Sequence, residues 1–377
     1  MSNLIIAGQH GPTKSWFQKK LWQLIKGFGA LLALIIVLAA AENNWFGYAW
    51  RSTQLFVQGN GAGEATDIGP QSIMANAATN PDGSKTILAV GDIVDCPEPD
   101  NFTKDLTTLT SWVGLDAPLD HSKVAAVATV ELAAQWPETP ILALGDTVYR
   151  RGTPHEFADC FDPIWGSLGH RTLPTPGNHE YYTPGAYAYY DYWGLQAGPD
   201  RRGYYSVQSN GWLILSLNSE IDAASNSAQG MWLDETLAAA TEQCILAFYH
   251  RPAFSLQTRD SVGSEHQLFQ KLNEAGASVV VNGHNHLYER SHPIDGNGAI
   301  DEEAGTVSFV VGTGGKSPLR ERDLAAFTAN AVFGKQGVLS LTLEDDSFSW
   351  AFHNSETGAA YDEGRRNCNQ QRVSDRV

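Results

Sequence analysis

Five short stretches of the 377-residue chain carry side chains of the types that ligate metal ions: GDIVD (91–95), GDTVY (145–149), GNHE (177–180), FYHRP (248–252) and GHNHLYER (283–290). Asp92 and Asp146 each follow an apolar run and a glycine, where an unpaired carboxylate would be costly or would take up a proton. Something positive is expected between them. A single Asp after Gly caps its own turn about as often, but two near-identical copies, ILAVGD and ILALGD, weigh against that reading. His284 and His286 follow the run SVVVN, and alternate positions of an extended segment point the same way, so both imidazoles can address one locus. His250 occupies a similar place after CILAFY. A lone strand-end histidine is more often a hydrogen-bonded structural residue, yet three of them beside two aspartates are not easily all structural. Asn178 and His179 are neighbours on a turn and point in different directions, so one can meet a metal while the other faces substrate; taken alone, PTPGNHE reads as a Pro-Gly turn.

The donors Asp92, Asp146, Tyr149, Asn178, His250, His284 and His286 are carboxylate, phenol, amide oxygen and imidazole, with no thiolate. Such a hard to borderline set suits Fe, Zn or Mn. Seven ligands are too many for one ion, but with one shared carboxylate they fill about four positions on each of two. A metal pair roughly 3.5–4 Å apart clamps an in-line phosphoryl displacement.

The elements that must position these groups are short apolar runs stopped by Gly or a polar residue, beginning near Thr86: 86–91, 140–145, 212–217, 244–249, 278–282, 306–312 and 337–343. They read as buried strands. Helical patterns lie between several of them, at 121–136, 229–240 and 265–276, which implies parallel strand pairs covered by helices. The last third lacks long helical patterns, so antiparallel pairs should join there. In such α/β sheets functional groups gather at the carboxyl ends of strands. Residues 42–85 read as a linker or loosely packed approach, 86–362 as one catalytic domain, and 363–377 as a frayed tail.

Ahead of these, Lys14, Lys19, Lys20 and Lys26 precede GFGALLALIIVLAAA (27–41), with no acidic residue before Glu42. Residues 1–41 are therefore expected to be a signal peptide or membrane anchor, delivering the rest to the periplasm or outside, with membrane contact only through this segment. The net charge of −17 argues against a nucleic-acid partner, because phosphate backbones need clustered Lys and Arg. Four cysteines (Cys96, Cys160, Cys244, Cys368) without C-x-x-C spacing suggest one or two disulfides of unspecified connectivity, not a metal site.

In order and spelling, GD, GDxxY, GNHE, a strand-end His before Pro, and GHxHxYER resemble the calcineurin-like metallophosphoesterases, and the Tyr variant resembles the purple acid phosphatases. Phrases such as FADCFDPIWGSLGHRTLPTPGNHEYY and FVVGTGG look like the compact bacterial members, often labelled alkaline phosphatase. The resemblance implies a four-layer αββα sandwich with mixed β-sheets. It places Asp92, Asp146, Tyr149 and His286 on a first metal, expected to be Fe(III), and Asp146, Asn178, His250 and His284 on a second, expected to be Fe, Zn or Mn. Where the wider superfamily has D-x-H in its first motif, this chain has Val94, and Tyr149 supplies the replacement.

His179 would then protonate the leaving oxygen or hold the transition state, and Arg251 and Tyr181 are candidates for substrate contact, with His266 a weaker one. The expected activity is hydrolysis of small phosphate monoesters by direct attack of a metal-bound hydroxide, with no covalent enzyme intermediate. Alternatives are a phosphodiesterase or nucleotide pyrophosphatase on the same site and a membrane-tethered, non-catalytic binding protein. The latter would be marked by loss of a ligand, and all seven are present.

Overall fold

The computed structural model describes residues 68–96, 125–257 and 263–369. The segments 1–67, 97–124, 258–262 and 370–377, the first of which includes the expected signal or anchor, lie outside the described residues.

All seven anticipated runs are strands, and they fall into two sheets. In the first, β1 (Lys85–Val90), β3 (Ile141–Ala143) and β5 (Thr172–Pro174) run parallel. β13 (Gly337–Leu343), β14 (Ser347–Asn354) and β15 (Ala360–Asn367) continue it antiparallel, giving the order β15-β14-β13-β1-β3-β5. The second sheet centres on parallel β7 (Trp212–Ser216), β8 (Cys244–Phe248), β9 (Val279–Asn282) and β11 (Val307–Val311). Antiparallel β6 (Tyr205–Ser209), β10 (Tyr288–Ser291) and β12 (Thr328–Val332) complete it in the order β12-β10-β11-β9-β8-β7-β6. Two further two-residue strands, β2 (Val94–Asp95) and β4 (Val148–Tyr149), pair in parallel just beyond the ends of β1 and β3.

Strand alternation builds the layers, because successive side chains point to opposite faces. Ile87 and Ala89 face a core shared with Ile214, Leu246, Phe248 and Val281 of the second sheet. Leu88 and Val90 face outward, under the helix Ala126–Ala133 and the segments around Phe161 and Trp193. On the other side Leu213, Ile245 and Val280 pack under the helices Ala228–Ala239 and Ser264–Glu274. The result is helix, sheet, sheet, helix. Burial on both faces explains why the central strands read as unbroken apolar runs.

Two regions differ from the sequence expectation. Within the supposed linker, Pro70–Asn76 is helical and buries Ile73 and Met74 in the core between the sheets; seven residues are too few to show a period. The tail after Asp362 is not frayed through 369. It continues β15 to Asn367, and Cys368 bonds Cys244 at the start of β8. This outer strand is polar and charged, as sheet edges commonly are, so its order comes from backbone pairing that no apolar pattern reveals. Cys96, directly after β2, bonds Cys160. Both bonds close long loops, 64 and 124 residues apart in sequence, where disulfides typically stabilise by about 2–4 kcal/mol in an oxidising compartment.

Asp362 itself joins the two sheets. Its carboxylate accepts from Tyr288 Oη at 2.6 Å and Arg290 Nε at 2.7 Å on β10, and from Trp350 Nε1 at 3.1 Å on β14. Burial pushes this carboxyl up, but the hydrogen bonds from Arg290 and Tyr288 outweigh it and leave the pKa below the ordinary value. Tyr288 and Arg290 of the GHNHLYER stretch are thus structural ties. Its Glu289 accepts from Ser255 Oγ at 2.7 Å and Thr328 Oγ1 at 2.7 Å.

Candidate metal centre

The parallel pairing of β1 and β3, with Val90 opposite Ala143, sets the two Gly-Asp ends side by side. Immediately after the last paired residues the backbone turns left-handed: Gly145 has φ +82°, Asp92 +56° and Asp146 +46°, and His284 at the end of β9 has +72°. Asp, Asn and His are the side chains that tolerate this region best after glycine. The glycines of the motifs answer a second demand, close approach. A Cβ on Gly145 would lie 2.7 Å from His250 Nδ1, and one on Gly177 would collide with the Asp146 carboxylate.

The seven donors converge in two groups that meet at Asp146. On one side Tyr149 Oη donates to Asp92 Oδ1 at 2.7 Å and to Asp146 Oδ2 at 3.2 Å, with His286 Nε2 at 3.4 Å from both Tyr149 Oη and Asp92 Oδ1. On the other, His250 Nε2 lies 3.2 Å from Asp146 Oδ2, from Asn178 Oδ1 and from His284 Nδ1. Ligand atoms of Asp146, His250 and His284 all fall within 4.8 Å of one another, a spacing that can hold a cation. The remaining nitrogens are tied off: His250 Nδ1 to Leu144 O at 2.8 Å and His286 Nδ1 to Ser317 O at 3.2 Å. Such outer bonds fix ring orientation at metal sites.

The electrostatics are those of a cluster built for positive charge. Burial pushes the Asp146 carboxyl up, but the imidazole of His250 overrides it and holds the group well below the carboxylate range. Asp92 behaves alike, with His286 as its partner. Burial pushes His250 down, yet Asp146 and Asp92 raise it to about 10, while burial, His250 and Arg251 lower His284 to about 3. Burial and the two aspartates raise the Tyr149 phenol well above its ordinary value. Two buried carboxylates sharing one phenol, with imidazoles aimed at them and no thiol, fit divalent metal ions.

A consequence is measurable. A metal entering the His250 site must displace the proton that Asp146 and Asp92 hold there, and that proton stays bound until the pH approaches about 10. Zinc affinity of metal-free protein is therefore expected to rise at least about tenfold from pH 6 to 7 and again to 8, with proton release. Calorimetry in buffers of different ionisation enthalpy checks this; a pH-independent affinity would count against it.

Of the other candidates, His179 belongs to the cluster: its backbone N–H donates to Asp146 Oδ1 at 2.8 Å, its ring remains partly exposed, and Nε2 lies 3.8 Å from Asp146 Oδ2. Arg251 belongs too. Its Nε donates to Glu220 Oε1 at 2.8 Å and its Nη1 lies 3.2 Å from His284 Nε2. Tyr181 does not reach the ligands, because its hydroxyl accepts from Asn218 Nδ2 at 2.8 Å and meets Tyr190 Oη at 3.4 Å. His266 also lies apart, against Phe254 and Glu265.

Two residues escaped the sequence reading. Glu180, fully buried, accepts from the backbone N–H groups of Asp146 (2.9 Å), Thr147 (2.8 Å) and Gly177 (2.7 Å), lacing the second Gly-Asp turn to the GNHE turn. Burial and Asp146 raise its pKa to about 7. Tyr182 stands where Tyr181 was expected: its ring meets His179 at 4.8 Å and its hydroxyl lies 3.5 Å from Asn178 Nδ2. The signal was the spacing, since residues four apart share a helical face and Asn178–Tyr181 is a helical turn.

A two-sheet sandwich with this cluster at its strand ends defines a class. The profile of the calcineurin-like phosphoesterases matches residues 85–288, more than half of the chain, and the protein belongs to that family. Within it the chain is similar to purple acid phosphatases. It is 25% identical over 189 residues to "Probable purple acid phosphatase 20" of Arabidopsis thaliana, covering 43% of this chain and 42% of that protein. An uncharacterized protein of Mycobacterium tuberculosis is 28% identical over 203 residues, 43% of this chain and 38% of that one. The chain thus spans well under half the length of these curated relatives. A purple acid phosphatase isolated from yellow lupin (Lupinus luteus) seeds shares the fold, with a TM-score of 0.60 and 18% identity over 80% of this chain and 56% of that one.

Proposed function

We propose that the protein is an exported, dinuclear-metal phosphoesterase that hydrolyses small phosphate monoesters. The observation that carries this reading is Asp146 Oδ2, placed 3.2 Å from both Tyr149 Oη and His250 Nε2, so that one carboxylate oxygen joins two groups of donors. Asp92, Asp146, Tyr149 and His286 would hold one ion, and Asp146, Asn178, His250 and His284 the other. Bound there, the two ions would acidify a water and neutralise charge developing on the phosphoryl oxygens.

The chain's own groups account for the remaining requirements. Arg251, steadied by Glu220, presents a guanidinium beside His284 for a phosphoryl oxygen. His179, outside both donor groups but fixed through its backbone to Asp146, can pass a proton to the leaving oxygen. Water attacks directly, so no side chain need be esterified. Export is supported by the lysine-flanked apolar segment 27–41 and by the pairing of all four cysteines. Among the described residues no helix is long and apolar enough to cross a membrane.

The test is metal analysis and absorption spectroscopy of native protein, together with turnover of 4-nitrophenyl phosphate, its bis ester and ATP. Two metals per chain and fastest turnover of the monoester are expected. If Fe(III) sits at Tyr149, a visible phenolate-to-iron band should be present and Tyr149→Phe should abolish it. A colourless, fully active dizinc protein would refute that assignment, and cleavage of none of the three esters would refute the enzyme.

A further inference from the structure

We propose that Tyr182 is a specificity-determining residue whose ring packs against the leaving group, so that the site favours phosphomonoesters of planar aromatic alcohols. This rests on the phosphoesterase reading above. Tyr182 is 52% exposed, although it adjoins a buried cluster. Its ring meets the His179 imidazole in a T-shaped contact at 4.8 Å, and the same imidazole packs on Tyr149 at 4.3 Å. The imidazole is thereby held between a buried ring and an exposed one.

A leaving oxygen that takes a proton from His179 must come within about 2.6–3.2 Å of it. On the exposed side of that imidazole the neighbouring ring is Tyr182, and to this ring we assign the group carried by the leaving oxygen. Arg251 and Glu220 stand instead beside His284. The phosphoryl group and the leaving group thus meet different surfaces, one cationic and one aromatic. An aryl leaving group can stack or pack edge-on against that exposed ring, a geometry worth roughly 2- to 13-fold in kcat/KM beyond the area it buries. An aliphatic one gains area alone.

The hydroxyl has a separate use. Asn178 can ligate only through Oδ1, which faces His250 at 3.2 Å, and so its Nδ2 needs an acceptor; Tyr182 Oη lies 3.5 Å away. Ring and hydroxyl can be separated by substitution, Tyr182→Phe removing the second and Tyr182→Leu both.

The experiment compares phenyl phosphate with cyclohexyl phosphate in the full-length, metal-loaded protein and in both variants. The ratio of the two kcat/KM values is internal to each preparation, so it is insensitive to partial metal loading or partial folding. In Tyr182→Leu the aryl-over-cyclohexyl ratio is expected to fall about fivefold, the middle of the aromatic-pair range, and in Tyr182→Phe to stay within about twofold. Calorimetric affinities for phenylphosphonate and cyclohexylphosphonate should move in parallel, which gives a readout without turnover. An unchanged ratio in Tyr182→Leu, or an equal change in both variants, overturns the proposal while leaving the phosphoesterase intact. A native protein that hydrolyses neither ester overturns both.

Discussion

Asp146→Asn is expected to lower kcat/KM for 4-nitrophenyl phosphate by about 10³-fold or more, and to leave fewer than two metals per chain. The substitution keeps the size of the side chain and a residue type that accepts the left-handed backbone at φ +46°, so the turn itself survives. What is lost is the charge at a crossing point. Asp146 Oδ2 faces Tyr149 Oη and His250 Nε2 at 3.2 Å each, and Oδ1 accepts the His179 N–H at 2.8 Å. An amide serves as a neutral acceptor at one of these places but cannot bridge two cations. The same change removes the principal cause of the raised His250 pKa, so the pH dependence of zinc binding should flatten in the variant. Elemental analysis, zinc titration and steady-state kinetics on one preparation read all three effects. Retention of two metals with activity within tenfold of native would end the shared-carboxylate interpretation.

His179→Ala should separate chemistry from assembly. General-acid groups contribute about 10²–10⁴-fold, and a loss of that size is expected in kcat with little change in KM. Metal content should be native, because the contact that His179 makes with Asp146 at 2.8 Å is through its backbone N–H, which alanine retains. Leaving-group dependence is the sharper readout. An ester of 4-nitrophenol scarcely needs protonation as the bond breaks, whereas an alkyl ester does, so the variant should lose far more on the alkyl ester. Equal losses on both would assign His179 to holding the phosphoryl group instead.

The central strands could be read from the sequence because they obey a strong local rule. Strands buried on both faces must be apolar throughout, and ILAVGD, ILALGD and SVVVN end where the apolar requirement ends and polar chemistry begins. The weaker elements follow rules that leave little trace. β6 alternates buried Tyr205 and Val207 with exposed Ser206 and Gln208 over only five residues, and β15 is ordered by pairing with β14 and by the Cys244–Cys368 bond.

Within the candidate site, the gathering of the seven side chains was legible and their support was not. Glu180 reads as one more acidic letter of GNHE until two of its three backbone partners are seen 33 and 34 residues away in sequence. Conversely, the YER that closes the last motif supports the fold, with Tyr288 and Arg290 facing Asp362 in the opposite sheet. Tyr182 rather than Tyr181 meets His179 because of helical phase, which a four-residue turn fixes but too briefly to show as a pattern.

The left-handed residues Asp92, Asp146 and His284 carry a consequence for how such a protein could change over generations. An ordinary side chain in that conformation costs about 1–3 kcal/mol, and the types that escape most of the cost, Asp, Asn, His and Gly, are mostly the types that also bind metals. Backbone shape alone would keep these three positions within a ligand-like alphabet long after any ion had ceased to matter. Asn178, His250, Tyr149 and His286 have no left-handed backbone to defend them. In a lineage drifting away from metal chemistry, those four would be the first to go, and Asp92, Asp146 and His284 the last.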